Sequence, residues 1–279
     1  MARRRRLPSV LAAVLAAVLT AGATGRAVDQ HDPLRGIKGD DDRIQVDART
    51  YPWSAIGRLT KGDGSLCSAV MIGPATALTA AHCVWNDRTA TWMPPQAVFL
   101  TLGWERGDWA AASQVTHIET DSAFAGPSVR GLSDMAADWA VLHLAAPVGN
   151  STGWLGVAGL DSLSYGVLAA QAPVVMQAGY SMDRRHVLTG HIGCHIQGWV
   201  AEGVVAHDCD ATRGDSGSPL FALIDGEFKV LGTHVSSFNT EQGVFGAAIA
   251  SGNLPPTAGG SAGRTPSDQA LMRVLLKGT

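Results

Sequence analysis

The chain has 279 residues, 46% hydrophobic and 16% charged, with 33 glycines, 4 cysteines and a formal charge of −3. That length and apolar content suffice for a sizeable core. The mild acidity, with no basic cluster beyond the first residues, argues against a nucleic-acid partner.

Residues 1–23 read as a secretory signal peptide: basic Arg3-Arg4-Arg5-Arg6, an apolar run over 7–19, and the small-residue cleavage pattern Ala21-Gly22-Ala23. The run is short for a bilayer span, so a secreted protein (extracellular or periplasmic) is expected, with no membrane association after cleavage, rather than a retained anchor. Removing the four arginines takes the charge from −3 to −7. Residues 24–43 read as a propeptide or lead-in ending in Gly39-Asp40-Asp41-Asp42-Arg43.

From Ile44 onward, short apolar segments recur at 53–59, 68–72, 98–102, 140–144, 173–179, 228–235 and 244–249, between Gly, Pro, Asn and Asp punctuation. No long helical period appears, which predicts an all-β barrel or sandwich. The length fits a first barrel over 44–148, a connection near 149–153, and a second barrel over 149–250. Asn150-Ser151-Thr152 is a formal glycosylation acceptor. Residues 251–266 are rich in Gly, Pro, Ser and Ala and read as a flexible linker. Ser267 would then cap a short helix to Lys277, with Ala270, Leu271, Val274 and Leu275 on one face.

In an oxidising compartment an even cysteine count favours two disulfides, and four cysteines permit three pairings. The alternative is a zinc site from Cys194, His195, His207 and Cys209, chemically suitable ligands in a spacing that matches no familiar zinc pattern.

Three separated runs carry the chemistry. His82 lies in Thr79-Ala80-Ala81-His82-Cys83, Asp138 opens Asp138-Trp139-Ala140-Val141-Leu142, and Ser216 lies in Gly214-Asp215-Ser216-Gly217-Ser218-Pro219. A serine hydroxyl is a poor nucleophile at neutral pH and needs a base within hydrogen-bond reach. Each residue also has a plainer reading. Gly-Ser runs are common turns, a lone histidine such as His117, His143 or His186 is usually an ordinary surface or core residue, and Asp121 and Asp134 lie near Asp138. Only Asp138 sits directly before an apolar strand. The order His, Asp, Ser separates this arrangement from the other chain orders that reach the same geometry.

The runs around His82 and Ser216 resemble those in which trypsin- and chymotrypsin-like serine proteases carry base and nucleophile. The resemblance implies two six-stranded antiparallel β-barrels with a short C-terminal helix and a cleft between the barrels. It implies His82 as the base, Asp138 as its orienting carboxylate, Ser216 as the nucleophile, and the N–H groups of Gly214 and Ser216 as an oxyanion hole. It also implies a Cys67–Cys83 bridge beside the histidine, which leaves Cys194–Cys209 as the second pair. The expected protein is a stand-alone, monomeric catalytic domain acting on protein or peptide substrates without cofactor or metal. A protease-like binding protein without turnover, and an esterase using the same three residues, are the rival readings.

Asp42-Arg43, residues 51–59, Ala178-Gly179-Tyr180, Gly217-Ser218-Pro219 and Gly232-Thr233-His234 resemble the bacterial glutamyl-endopeptidase branch more than pancreatic trypsin. The likeness covers about residues 42–250. Two substrate-binding residues follow from it. Asp210, six residues before Ser216, matches the trypsin-like position that pairs with Arg or Lys. His234 matches the pocket histidine of the glutamyl branch. Ala211 replaces that branch's pocket Thr, and Val235-Ser236-Ser237 replaces the usual aromatic-Gly pair. Finally, Arg43–Ile44 would be a cleavable activation bond whose freed Ile44 pairs with Asp215, or else the acidic run is a solvated lead-in.

Overall fold

The computed structural model describes residues 34, 36–127, 131–241 and 243–264. The signal peptide and the helix expected over 267–277 lie outside the described residues. Among those described, no helix is long and apolar enough to cross a membrane.

The first half closes into a six-stranded barrel in the order Ile56–Lys61, Leu66–Gly73, Thr76–Thr79, Ala140–Leu144, Ala111–Thr120 and Val98–Leu102. Every pairing in it is antiparallel. Closure removes the exposed strand edges that an open sheet would leave. Alternation is plain in Val98–Leu102, where Val98, Leu100 and Leu102 are fully buried and Phe99 between them is exposed. Leu66–Gly73 departs from alternation because all eight residues are buried. One face fills the barrel and the other lies against the second half of the chain, as its Ser68 contacts show below.

The second half is a longer sheet. Its antiparallel path runs Thr189–Cys194, Val175–Gly179, Pro219–Ile224, Glu227–Thr240, Gly243–Ala250, Val204–His207, Ile196–Ala201. The two ends of this path, Thr189–Cys194 and Ile196–Ala201, are consecutive in the chain and separated only by His195. They act as one strand bent in the middle, so six strand positions form a second barrel. The bend is fastened by the Cys194–Cys209 disulfide. Ile44–Gln45 extends the sheet beside Thr189–Gly190, and Gly156–Val157 adds a short parallel pairing to Lys229–Val230.

Two segments differ from the sequence-based expectation. Ser162–Gln171 is an α-helix, capped by Asp161, whose carboxylate accepts the N–H groups of Leu163 and Ser164 at 2.9 and 2.7 Å. Leu163 and Val167 are exposed and only Leu168 is buried, so the helix carries no apolar stripe that periodicity could reveal. The legible signal is the reciprocal Asp161–Ser164 capping pair.

The segment read as a flexible linker is, over 251–264, hydrogen-bonded at many points. Ser251 Oγ accepts the Leu160 N–H at 2.8 Å, Asn253 Nδ2 donates to Ala136 O at 2.6 Å, and Thr257 donates to Glu119. Trp154 and Gly263 exchange both backbone hydrogen bonds at 2.7 and 3.1 Å. A Cβ on Gly263 would fall 1.9 Å from the Trp154 ring. Here glycine permits close approach to an indole rather than freedom of the chain. The segment is a strap joining both barrels.

Both disulfides close short loops, with sequence separations of 16 for Cys67–Cys83 and 15 for Cys194–Cys209. Loop closure of this size contributes about 3 kcal/mol. A C194S/C209S double variant is expected to unfold about 5–10 °C lower than the parent by scanning calorimetry. An unchanged midpoint would show that the bend is held without the bridge.

Candidate active site

Strand pairing explains why His82 and Asp138 meet. Thr76–Thr79 pairs with Ala140–Leu144, with Thr79 opposite Ala140. His82 follows the first strand in the single turn Ala81–Val84, and Asp138 precedes the second at the end of the turn Leu132–Ala137. The two residues therefore emerge at the same end of neighbouring strands. Cys83, bonded to Cys67 on the adjacent strand, pins the histidine turn.

Both Asp138 oxygens are used on His82. Oδ1 accepts the backbone N–H at 2.8 Å and Oδ2 lies 2.8 Å from Nδ1. Asp138 is 6% exposed. A buried carboxylate facing Nδ1 assigns the proton to that nitrogen and leaves Nε2 as the acceptor. Asp134 and Asp121 are engaged locally, with the N–H groups of Gly131 and Ala123.

Ser216 comes from the loop leading into Pro219–Ile224, and the loop is fastened to the first barrel. Ser68 N–H donates to Ser216 O at 2.8 Å, and Ser68 Oγ donates to Gly214 O at 3.0 Å. The same hydroxyl accepts the Tyr180 N–H at 2.8 Å. Thr79 Oγ1 in turn donates to Ser68 O at 2.7 Å. Gly217 has φ +83°, and a Cβ there would lie 2.1 Å from Thr79 Oγ1 and 2.2 Å from Ser68 O. Neither Ser68 nor Thr79 was marked by sequence reasoning beyond the histidine run. An isolated serine on an apolar strand gives no signal of a contact across domains.

His82, Gly214, Ser216, His234, Ser236 and Ser237 line one cleft of about 350 Å³. Among the described residues, the N–H groups of Gly214 and Ser216 donate to no protein acceptor, whereas those of Asp215, Gly217 and Ser218 all do. Two uncommitted donors thus flank Asp215 at the cleft. A larger hollow of about 470 Å³ beside Leu160, Trp199 and Asn253 contains none of these residues.

The two specificity candidates separate. Asp210 is fully buried, does not line the cleft, and accepts the backbone N–H groups of Lys38 and Asp42 at 2.7 and 3.0 Å. Its carboxylate is committed to the lead-in segment and is not presented to a substrate cation. Lys38 Nζ donates to Gly36 O and Cys209 O, and burial pulls its ammonium down to about 8 against the opposing pull of Asp210. Gly36 packs so closely on Ala211 O and Ser237 Oγ that a Cβ would lie 2.0 and 2.9 Å from them. The lead-in therefore backs one wall of the cleft.

His234 does line the cleft, and its Nδ1 lies 2.9 Å from His207 Nε2. This contact passes beneath Gly246 of the intervening strand, where a Cβ would fall 2.2 Å from the His207 ring. His207 Nδ1 is buried without a partner. An orphaned N–H is rarer than an orphaned acceptor, so His207 is assigned as the donor from Nε2. His234 then carries its proton on Nε2, the ring edge left for the cleft. Burial, with help from the charge of Lys38, pushes His234 down to about 3, so the ring is neutral at ordinary pH. Ser237 Oγ is also buried without a partner.

The zinc alternative does not assemble. The Cys194 and Cys209 sulfurs are bonded to each other, His207 faces His234, and His195 is exposed and paired with Asp208. The Arg43–Ile44 bond is not presented as an open cleavage site either. Arg43 is 4% exposed, and its carbonyl accepts Arg184 Nη1 at 2.7 Å.

Comparison with known proteins follows the same lines. A glutamyl endopeptidase of Bacillus licheniformis is 26% identical over 197 residues, covering 67% of this chain and 55% of that protein. A CLIP domain-containing serine protease HP8 of Bombyx mori is 33% identical over 92 residues, 31% of this chain and 23% of that protein. The chain thus spans about half or less of the length of these relatives. A solved Glu endopeptidase, in complex with MPD, superposes with a TM-score of 0.62 at 19% identity, covering 86% of this chain and 98% of that one, and so shares the fold. The Trypsin family model matches residues 42–253, which contain both barrels, His82, Asp138 and Ser216: the chain belongs to the trypsin family.

Proposed function

We propose that the protein is a secreted serine endopeptidase in which Ser216, His82 and Asp138 form the catalytic triad. The observation that carries this reading is the cleft shared by Ser216 and the Asp138-bound His82, beside two amides with no acceptor. The Ser216 hydroxyl attacks the scissile carbonyl carbon as His82 Nε2 takes its proton, and the carbonyl oxygen becomes an oxyanion. Collapse of this tetrahedral species breaks the C–N bond, with His82 returning the proton to the leaving amine. Water then repeats the cycle against the acyl-enzyme and frees Ser216. Asp138 keeps its charge throughout and stabilises the imidazolium. The Gly214 and Ser216 N–H groups receive the oxyanion, each worth about 3 kcal/mol in the transition state. The basic and apolar N-terminal run and two disulfides support export.

For substrate, the cleft favours an acidic side chain before the scissile bond over Arg or Lys. The only carboxylate expected to select a cation, Asp210, is occupied, while the His234 Nε2–H is a neutral donor suited to a carboxylate. The B. licheniformis relative's name points the same way.

Three outcomes test this reading. A fluorophosphonate should label Ser216 alone in peptide maps, and S216A should abolish labelling and lower kcat by about 10⁴-fold or more. Absence of labelling in folded protein would favour a binding protein without turnover. H234Q should reduce the kcat/KM preference for Glu over Gln substrates at least about 10-fold, measured with matched peptides. Because His234 is already neutral, the parent's preference should stay flat from about pH 5.5 to 7.5. A fall centred near 6.5 would mean that an imidazolium binds the substrate.

A further inference from the structure

The Asp215 side chain lies between the two cleft amides and points away from the cleft, into the protein. It is 1% exposed. Its Oδ2 accepts the Thr212 N–H at 2.7 Å, and its Oδ1 lies 3.4 Å from Ser181 Oγ. A Cβ on Gly179 would be 2.5 Å from Oδ1, so the floor beneath it is backbone. These contacts fix the turn 212–216 from below, and they are strongest when the carboxylate is ionised. A buried carboxylate keeps its charge only if a cation or enough donors compensate it.

Arg43 meets that need from the lead-in segment. Its Nη1 lies 4.0 Å from Asp215 Oδ2 and is linked to the same site through Ser181 Oγ at 3.0 Å and Thr212 Oγ1 at 3.2 Å. The rest of the guanidinium is held from the opposite side. Nη2 binds Asp183 Oδ2 at 2.7 Å and Asp41 Oδ2 at 3.0 Å, and Nε binds Asp41 Oδ1 at 2.9 Å. The Arg43 side chain is 1% exposed. A planar fork with five donors can serve three carboxylates in fixed directions, which a lysine ammonium cannot.

We propose that Arg43 is a positioning residue for the oxyanion turn: with the Arg43–Ile44 bond intact, its side chain supplies the buried countercharge that holds Asp215, and through Asp215 the Gly214 and Ser216 amides. The cation therefore comes from within the chain, and no cut at Arg43 is needed to create one. A cut there would free the carboxyl side of Arg43, release the short Ile44–Gln45 pairing and loosen the guanidinium. Burial raises Asp215 to about 6 even with Arg43 present to oppose it. The charged groups facing it are Arg43 and Lys38, which favour ionisation, and Asp183, which disfavours it. Loss of Arg43 moves the Asp215 titration upward, into the working range of a serine protease.

The inference rests on the endopeptidase reading, so the test begins with fluorophosphonate labelling of the secreted parent protein and mapping of the labelled chains. If the parent does not label, the endopeptidase reading fails. If it labels, the labelled chains are expected to yield a peptide spanning the Arg43–Ile44 bond. Labelled chains that begin at Ile44 would overturn the inference and leave the endopeptidase reading standing. Kinetics supply the second arm. R43Q is expected to lower kcat about 100-fold with KM changed less than about 3-fold, and to move the acid limb of kcat to higher pH. R43K, which keeps the charge, should recover about 10-fold of that loss. A folded R43Q with parental kcat and acid limb would overturn the proposal. If R43Q does not accumulate, D41N serves instead, since it releases the guanidinium from its outer side. A several-fold drop in kcat at constant KM supports the proposal, and an unchanged kcat and acid limb refutes it.

Discussion

The candidate cleft depends on how a turn of the second barrel is seated on Ser68 of the first. Ser68 uses its N–H, its hydroxyl and its carbonyl on four partners: Ser216 O, Gly214 O, Tyr180 N–H and the Thr79 hydroxyl. Each such bond is worth about 1 kcal/mol net, but their geometry matters more than their sum. Holding the carbonyls of Gly214 and Ser216 fixes the peptide planes between residues 214 and 215 and between 216 and 217. The planes that carry the Gly214 and Ser216 amides are held by the Met182 N–H on Arg213 O and the Ser218 N–H on Asp215 O. Gly217 makes this possible because only a residue without Cβ fits between the turn and Thr79. Ser216, the proposed nucleophile, is thereby located relative to His82, which follows the strand that supplies Thr79.

A second layer of control lies beneath the same turn. Ser68 fastens its carbonyls from one side, while Asp215 fastens it from the other through Thr212, Ser181 and the guanidinium of Arg43. A turn held from both faces has little freedom to reorganise as charge develops on a substrate oxygen. Donors fixed in advance avoid the cost that water would incur in turning to meet the same charge. The site is therefore built by long-range tethers, with sequence separations well above 100 residues for Ser68 to Gly214 and Arg43 to Thr212.

That distribution explains what the sequence revealed. His82 and Ser216, which line one cleft, and Asp138, bonded to His82, could be marked in the sequence because each lies in a short distinctive run. The barrels were legible as recurrent short apolar segments, since alternation is a local property. Asp210 was misread because its distance from Ser216 along the chain says nothing about which way the side chain turns, and the lead-in that captures it lies some 170 residues earlier. Arg43 was read through the bond that follows it, and its side chain proved more informative. The His207–His234 contact was invisible because it exists only after three strands have paired in register. Helix 162–171 was missed because it buries a single apolar residue.

Gly246 changes what the second barrel's wall can transmit. A β-sheet ordinarily separates its neighbours, with side chains of adjacent strands kept to their own rows. At this one position the wall is thin enough for the His207 ring to occupy the place of a missing side chain and touch His234 beyond it. The polarity of the cleft-facing nitrogen is consequently set from a residue with no solvent exposure and no access to substrate. Chemistry at the cleft can then be retuned from the buried interior, through a ring that a search of the cleft lining alone would never include.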